Sequence, residues 1–263
     1  MKRINALWTY RHFVLSSIQR EFQSKYRNTL LGASWAVINP LLMITLYTVI
    51  FSQVMHARLQ GTSENFAYSI YLCAGILSWG LFSEITSRAQ TVFLENANLL
   101  KKINFPRLTL PVIVISNAAI NFAIVFGLFS LFLLVSGYFP GIVYLALAPL
   151  LAILIAMAIG IGITLGILNV FFRDIGQSFG VIIQFWFWLT PIVYPVDILP
   201  PQIQAIVNLN PMTPLLAGFQ TTLVFGQWPN WEAQLYPALL ALFLCGFGLH
   251  LFRRHAAEMI DEL

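Results

Sequence analysis

Charged residues are so scarce in this chain that each marks a place where chemistry or orientation can be set. Only 9% of its 263 residues are Asp, Glu, Lys or Arg. The densest group is ENANLLKKINFPRLTLP (Glu95–Pro111), which holds a carboxylate, two adjacent lysines and an arginine and ends in Pro106 and Pro111. These lysines do not belong to a G-x-x-x-x-G-K-[ST] phosphate loop: no lysine follows a glycine anywhere, so the chain does not bind ATP by that motif. GIGITLG (Gly160–Gly166) misses the dinucleotide fingerprint by one residue. Its Gly162 and Gly166 read instead as a small-xxx-small face for close helix packing. Glu84 is the exceptional acid inside an apolar run, and Arg88 follows one turn later, an i,i+4 pair rather than a proton relay. His12, His56, His250 and His255 lack ligand spacing, so no metal is expected. No nucleophile–base set is present, and no catalytic site is expected. Cys73 and Cys245 lie inside apolar runs and read as buried thiols.

The elements that must position these residues follow from the solvent. Hydrophobic residues make up 59% of the chain, with mean hydropathy +0.79, against roughly 45–50% apolar in soluble domains. Several apolar runs reach the ~20 residues that cross a bilayer. The expected fold is an all-α polytopic membrane protein in a single domain, 1–263. Six spans are expected, at 30–55, 66–87, 110–136, 141–171, 177–195 and 234–252. The fourth is long enough to tilt, or to be broken near Pro149. With these spans all but one of the 14 Lys and Arg fall on one side, Arg58 being the exception. The positive-inside rule then puts both termini in the cytoplasm. The pI near 9.2 reflects this orientation and not a nucleic-acid partner. Met-Lys-Arg at the start is followed by no apolar core, so no cleaved signal is expected.

Residues 5–26 are too charged to span. Leu7, Trp8, Val14, Leu15, Ile18, Phe22 and Tyr26 gather on one helical face, opposite Thr9, Ser16, Arg20 and Gln23. This predicts an amphipathic helix within 1–29, lying in the cytoplasmic interface or else docked on protein. Spans one to five occupy 30–195. The segment 191–233 carries seven of the 13 prolines, no Lys or Arg, and yet apolar pieces such as MTPLLAGFQTTLVFG. Fourteen helical residues rise about 21 Å, too short for a core of roughly 30 Å. Two short re-entrant helices in 196–233 fit best, with a surface-lying loop as the alternative. Span six (234–252) and a tail (253–263) close the chain. No internal repeat is evident, which sets aside the inverted-repeat carriers.

Energy for transport must therefore come from a partner. NLLKKINF is a short helix-forming segment that Pro106 and Pro111 decouple from span three. A bare loop would explain its charge, but Leu99, Leu100, Ile103 and Phe105 want a protein groove. In order along the chain stand the amphipathic start, NPLL (Asn39–Leu42), NANLLKKINFPR, FFRD (Phe171–Asp174), LTPIVYP and NPMTPL. This ordered set resembles the permease subunit of type 2 ABC exporters of polysaccharide, the family of O-antigen, capsule and teichoic-acid exporters. The resemblance implies a homodimer of six-span subunits in a bacterial inner membrane, joined to two copies of a separate ATPase. That partner would hold ATP and Mg, and this chain no cofactor. It further implies a coupling helix whose Asn98, Leu99, Leu100, Lys101, Lys102 and Phe105 meet the ATPase, along with Arg173 and Asp174. It implies an outer gate built from the helix pair, and a lipid-linked glycan on a diphosphate anchor. Lys25 and Arg27, just before span one, would meet that diphosphate; positive-inside anchoring is their other reading.

A glycan path should offer aromatic faces, amides and hydroxyls without fixed charge. Tyr47 and Phe51 stand one turn apart in span one, and span five supplies FWFW (Phe185–Trp188) and Tyr194. Four consecutive rings cannot all face one way, so Tyr47, Phe51, Trp186, Trp188 and Tyr194 are the expected path residues, with lipid contact or packing as the alternative. Rival readings are an exporter of a drug or simple lipid, an ion-coupled carrier, and a membrane scaffold. Buried charge is too sparse for the carrier, and a scaffold needs no proline-rich hairpin.

Overall fold

Four helical stretches are long and apolar enough to cross a membrane among the residues that the computed structural model describes, namely 11–26, 31–50, 66–102, 109–255 and 258–262. They are Ala67–Glu95, Thr109–Ser136, Gly141–Phe171 and Trp231–His255. In chain order the α-helices are α1 (Arg11–Tyr26), α2 (Trp35–Thr48), α3 (Ala67–Glu95), α4 (Ala97–Lys102), α5 (Thr109–Ser136), α6 (Leu147–Phe171), α7 (Asp174–Leu189), α8 (Pro201–Leu209), α9 (Met212–Phe225), α10 (Trp231–His255) and α11 (Glu258–Glu262). No strand occurs among the described residues. The chain is an integral membrane protein whose described regular structure is all helical.

In the other two expected spans the described α-helices are shorter, and residues 30 and 51–55 of the first lie outside the described residues. α2 has 14 residues and α7 has 16; a 3-10 turn, Gly32–Ser34, leads into α2 and lengthens its helical stretch. Pro40 interrupts the hydrogen-bond ladder of α2, which runs on through Val49 and Ile50 as a wider π turn. α7 stops at Leu189 because Pro191 forces Thr190 into an extended conformation (ψ 134°). The helix that carries the expected second span continues past 87 to Glu95, since no breaker intervenes before Asn96. The Asn96 amide then donates back to the Val92 carbonyl at 2.9 Å and closes the helix. The break expected near Pro149 falls earlier. A 3-10 stretch, Gly141–Ala146, leads into α6, and Pro149 sits in the first turn, where its missing N–H costs nothing.

α3 is the central helix: 72% of its most apolar window is buried, against 22% for α5 and for α10. Glycines let its neighbours approach. A Cβ on Gly162 would lie 2.6 Å from the Ala89 Cβ, and one on Gly166 2.6 Å from the Ala89 carbonyl oxygen, so the face read from the sequence packs α6 on α3. A Cβ on Gly160 would lie 2.6 Å from the backbone of Leu244, which seats α10 on the other side of α6. Capping fits each end of α10. Asn230 Oδ1 accepts from Glu232 N at 3.0 Å, and Arg253, Arg254 and His255 complement the dipole in its last turn.

Two short helices stand in the proline-rich segment, as its composition suggests. α9 does not lie on the surface: Met212, Leu215, Leu216 and Phe219 are fully buried. α8 leaves Ile203, Ile206 and Leu209 exposed. The described part of the N-terminal helix, α1, packs on α5. Its Glu21 binds both Arg88 of α3 and Asn117 of α5, while Leu15 of the apolar stripe stays 60% exposed.

Candidate functional site

At the end of the bundle where charge concentrates, the sequence candidates separate by burial. Asn98 and Lys101 on α4 are exposed, and so are Arg173 and Asp174 at the α6–α7 turn. Leu100 is 7% exposed and turns into the chain's own cluster with Phe93, Leu110 and Met259. The side chains of Leu99, Lys102 and Lys25, and the whole of Arg27, Phe51 and Phe105, lie outside the described residues.

An amide clamp holds the α6–α7 turn against α3. Asn169 Nδ2 donates to the Gln90 carbonyl at 3.0 Å, and Gly176 N donates to Asn169 Oδ1 at 3.0 Å. Gln90 Nε2 reaches the Gly176 carbonyl at 3.4 Å. A buried Asn in an otherwise apolar helix was the only hint of it, since burial obliges such an amide to find partners. The clamp ties the Arg173–Asp174 turn to α3 by three hydrogen bonds.

Next comes a charged network. Arg88 Nη1 lies 3.3 Å from Glu84 Oε1, the expected i,i+4 pair. The same oxygen accepts from Asn121 Nδ2 at 2.9 Å, and Glu21 engages Arg88 from α1. Two carboxylates share one guanidinium and the neutral amides of Asn117 and Asn121, so the network ties α1, α3 and α5 together. Beside it a cleft of about 320 Å³ is lined by Trp35, Asn39, Glu84 and Asn121. An adjoining apolar cleft of about 310 Å³ shares Asn39 and Pro40 and reaches Tyr47, Met43 and Cys73. Tyr47 is thus half-buried on the wall of a cleft between α2, α3 and α5.

The rings of α7 divide in two. Trp186 is packed edge-on against Trp79 (5.9 Å) and Phe82 (5.3 Å) in the main core. Its Nε1 donates to Asn210 Oδ1 at 2.9 Å. Trp188 points away and is 64% exposed, as is its neighbour Phe185 at 67%. Tyr194 is half-buried, and its hydroxyl donates to the Trp188 carbonyl at 2.8 Å. The intervening turn is pinned to α3: Tyr68 donates to the Val193 carbonyl at 2.7 Å and Tyr71 to the Tyr194 carbonyl at 3.0 Å. Asn210, which sequence reasoning left without a role, ties this turn to the helix pair. It donates to Thr190 Oγ1 at 2.8 Å and accepts from Met212 N at 3.1 Å, capping α9.

A helical membrane bundle with a helix pair at one end and exposed basic residues at the other has the general form of a transport subunit. Residues 13–249 match the ABC-2 type transporter family, and the chain belongs to that family. It is 27% identical over 236 residues to the O-antigen export system permease protein RfbA of Klebsiella pneumoniae, covering 89% of this chain and 88% of that one. The protein of the same name from Myxococcus xanthus is 24% identical over 265 residues, the full length of both chains. The polysialic acid transport protein KpsM of Escherichia coli is 21% identical over 247 residues, covering 92% of this chain and 93% of that one.

Proposed function

We propose that this chain is the membrane-spanning permease subunit of an ATP-driven exporter of lipid-linked polysaccharide, with an O-antigen as its substrate. The observation that carries the reading is end-to-end similarity to a permease named for O-antigen export. Two copies of the chain form the channel, each with six spans once α2 and α7 are counted, in a bacterial inner membrane with both termini cytoplasmic. The chain has no catalytic role of its own. A separate ABC ATPase, two copies per dimer, binds ATP and Mg and presses on α4, the coupling helix, and on the Arg173–Asp174 turn. The exposed Asn98, Lys101, Arg173 and Asp174 support that contact. Lys25 and Arg27 receive the anchor diphosphate, and Tyr47, Phe51, Trp188 and Tyr194 offer ring faces to the glycan. Trp186 stands at the base of that path and holds the outer helix pair. Sugar rings present flat C–H faces, and a sliding polymer needs weak, repeated contacts of this kind.

The test is purification from the native membrane. A stoichiometric ABC ATPase chain should accompany the permease, and deleting the permease gene should abolish surface polysaccharide while its lipid-linked precursor accumulates. Purification without an ATPase, or unchanged surface polysaccharide after deletion, would overturn the reading.

A further inference from the structure

α4 is six residues long and follows a break at Asn96, so by itself it makes a poor lever. A push on it would bend the chain at that break unless something behind it resisted. What stands behind it is unexpected. Leu100 is buried in a cluster to which α3 contributes Phe93, α6 contributes Val170, and α10 contributes Phe252. Phe252 stacks on Phe93 with ring centroids 5.8 Å apart. Leu110 and Val114 of α5 also belong to it, and so does Met259, 2% exposed, from α11, which packs against both α4 and α6.

A helix of five residues does not hold its shape in water. α11 is kept in place by two fastenings. One is the buried Met259 side chain. The other is a pair of side-chain contacts: His255 Nδ1 lies 2.6 Å from Glu258 Oε2, and the His255 ring stands edge-on to Phe171 at 5.9 Å. The ends of α3, α5, α6 and α10 therefore meet α4 in one buried cluster, to which α11 adds Met259.

We infer that α11 is a strut for the coupling helix: Met259, seated in the Leu100 cluster, makes displacement of α4 reach α6 and α10 rather than dissipate at Asn96. The inference rests on the proposed function and adds to it a positioning residue, Met259, which touches neither substrate nor nucleotide. Methionine suits the place, because a flexible thioether fills an irregular gap where several helices converge.

The test uses the full permease–ATPase complex. Export and ATP hydrolysis are measured together for wild type, Met259→Ala and the volume-conserving Met259→Leu. The strut predicts that Met259→Ala keeps wild-type abundance, ATPase association and hydrolysis, while glycan exported per ATP falls several-fold; Met259→Leu restores the ratio. An unchanged ratio in Met259→Ala would overturn the inference, and so would a loss of export matched by a loss of abundance or of ATPase association. A second readout does not depend on transport. Spin labels at the exposed Asn98 and Glu262, in a background lacking Cys73 and Cys245, should give a narrow distance distribution that Met259→Ala broadens. Equal widths would again overturn it. A wild-type complex that hydrolyses ATP without moving any glycan counts against the polysaccharide reading, whereas the distance widths still decide the strut.

Discussion

Trp186 and Asn210 are joined by a hydrogen bond of 2.9 Å from the indole Nε1 to the amide Oδ1, and this bond fastens the end of α7 to the start of α9. Asn210 also serves Thr190 Oγ1 and Met212 N, so one amide satisfies three groups from two elements. Removing it leaves a half-buried indole N–H without its partner. Asn210→Ala should cost about 1–3 kcal/mol, read as a lower thermal midpoint of the detergent-solubilised protein. Trp186→Phe should cost less when added to Asn210→Ala than when made alone, because the bond is already gone. Additive losses would show that the two residues act separately.

The two tryptophans of α7 should behave oppositely. Trp186→Ala empties a packed site beside Trp79 and Phe82 and should lose about 3–5 kcal/mol, seen as reduced membrane abundance. Trp188 is 64% exposed, so Trp188→Ala should leave abundance unchanged and reduce export if the ring faces the glycan. Normal export at normal abundance in Trp188→Ala would assign that ring to lipid.

Close helix contact makes a sharper prediction at the glycines. A Cβ at Gly166 would sit 2.6 Å from a backbone oxygen of α3, whereas one at Gly80 would meet nothing within 4 Å. Gly166→Ala should therefore destabilise by about 1–3 kcal/mol as α3 and α6 are forced apart, and Gly80→Ala should not. The comparison is made by fluorescence-detected size exclusion after graded heating.

Much of this arrangement was legible in the residues. The Gly162–Gly166 face, the Glu84–Arg88 pair and the two short proline-bounded helices all follow from local spacing, where neighbours in space are neighbours in sequence. What spacing could not give is the long-range amide pairing. Gln90 and Asn169, or Trp186 and Asn210, come from different elements, and a single amide carries no periodicity that names its partner. Leu100 shows the same limit on a smaller scale. A six-residue helix is too short for its apolar positions to tell an inward face from an outward one, so burial by Met259 and Phe252 could not be anticipated. A span length does not give a helix end: α3 runs past residue 87 and stops only at Asn96.

The Glu21 contact gives α1 a testable dependence. Glu21→Gln removes the carboxylate that holds α1 to Arg88 and Asn117. Trypsin should then cleave at Arg20 faster in permeabilised membranes. Glu84→Gln should have a smaller effect, since Arg88 keeps Glu21. Cleavage at the wild-type rate in Glu21→Gln would mean that packing alone holds α1.

ATP-dependent translocation by the purified complex tests the central claim most directly. The permease, reconstituted with its copurified ATPase in proteoliposomes, is given lipid-linked polysaccharide isolated from the producing cell, and glycan crossing the bilayer is measured. Crossing should require ATP and Mg, and should proceed without any ion gradient. Crossing driven by an ion gradient without ATP, or ATP hydrolysis that moves no glycan, would contradict a polysaccharide-exporting ABC permease.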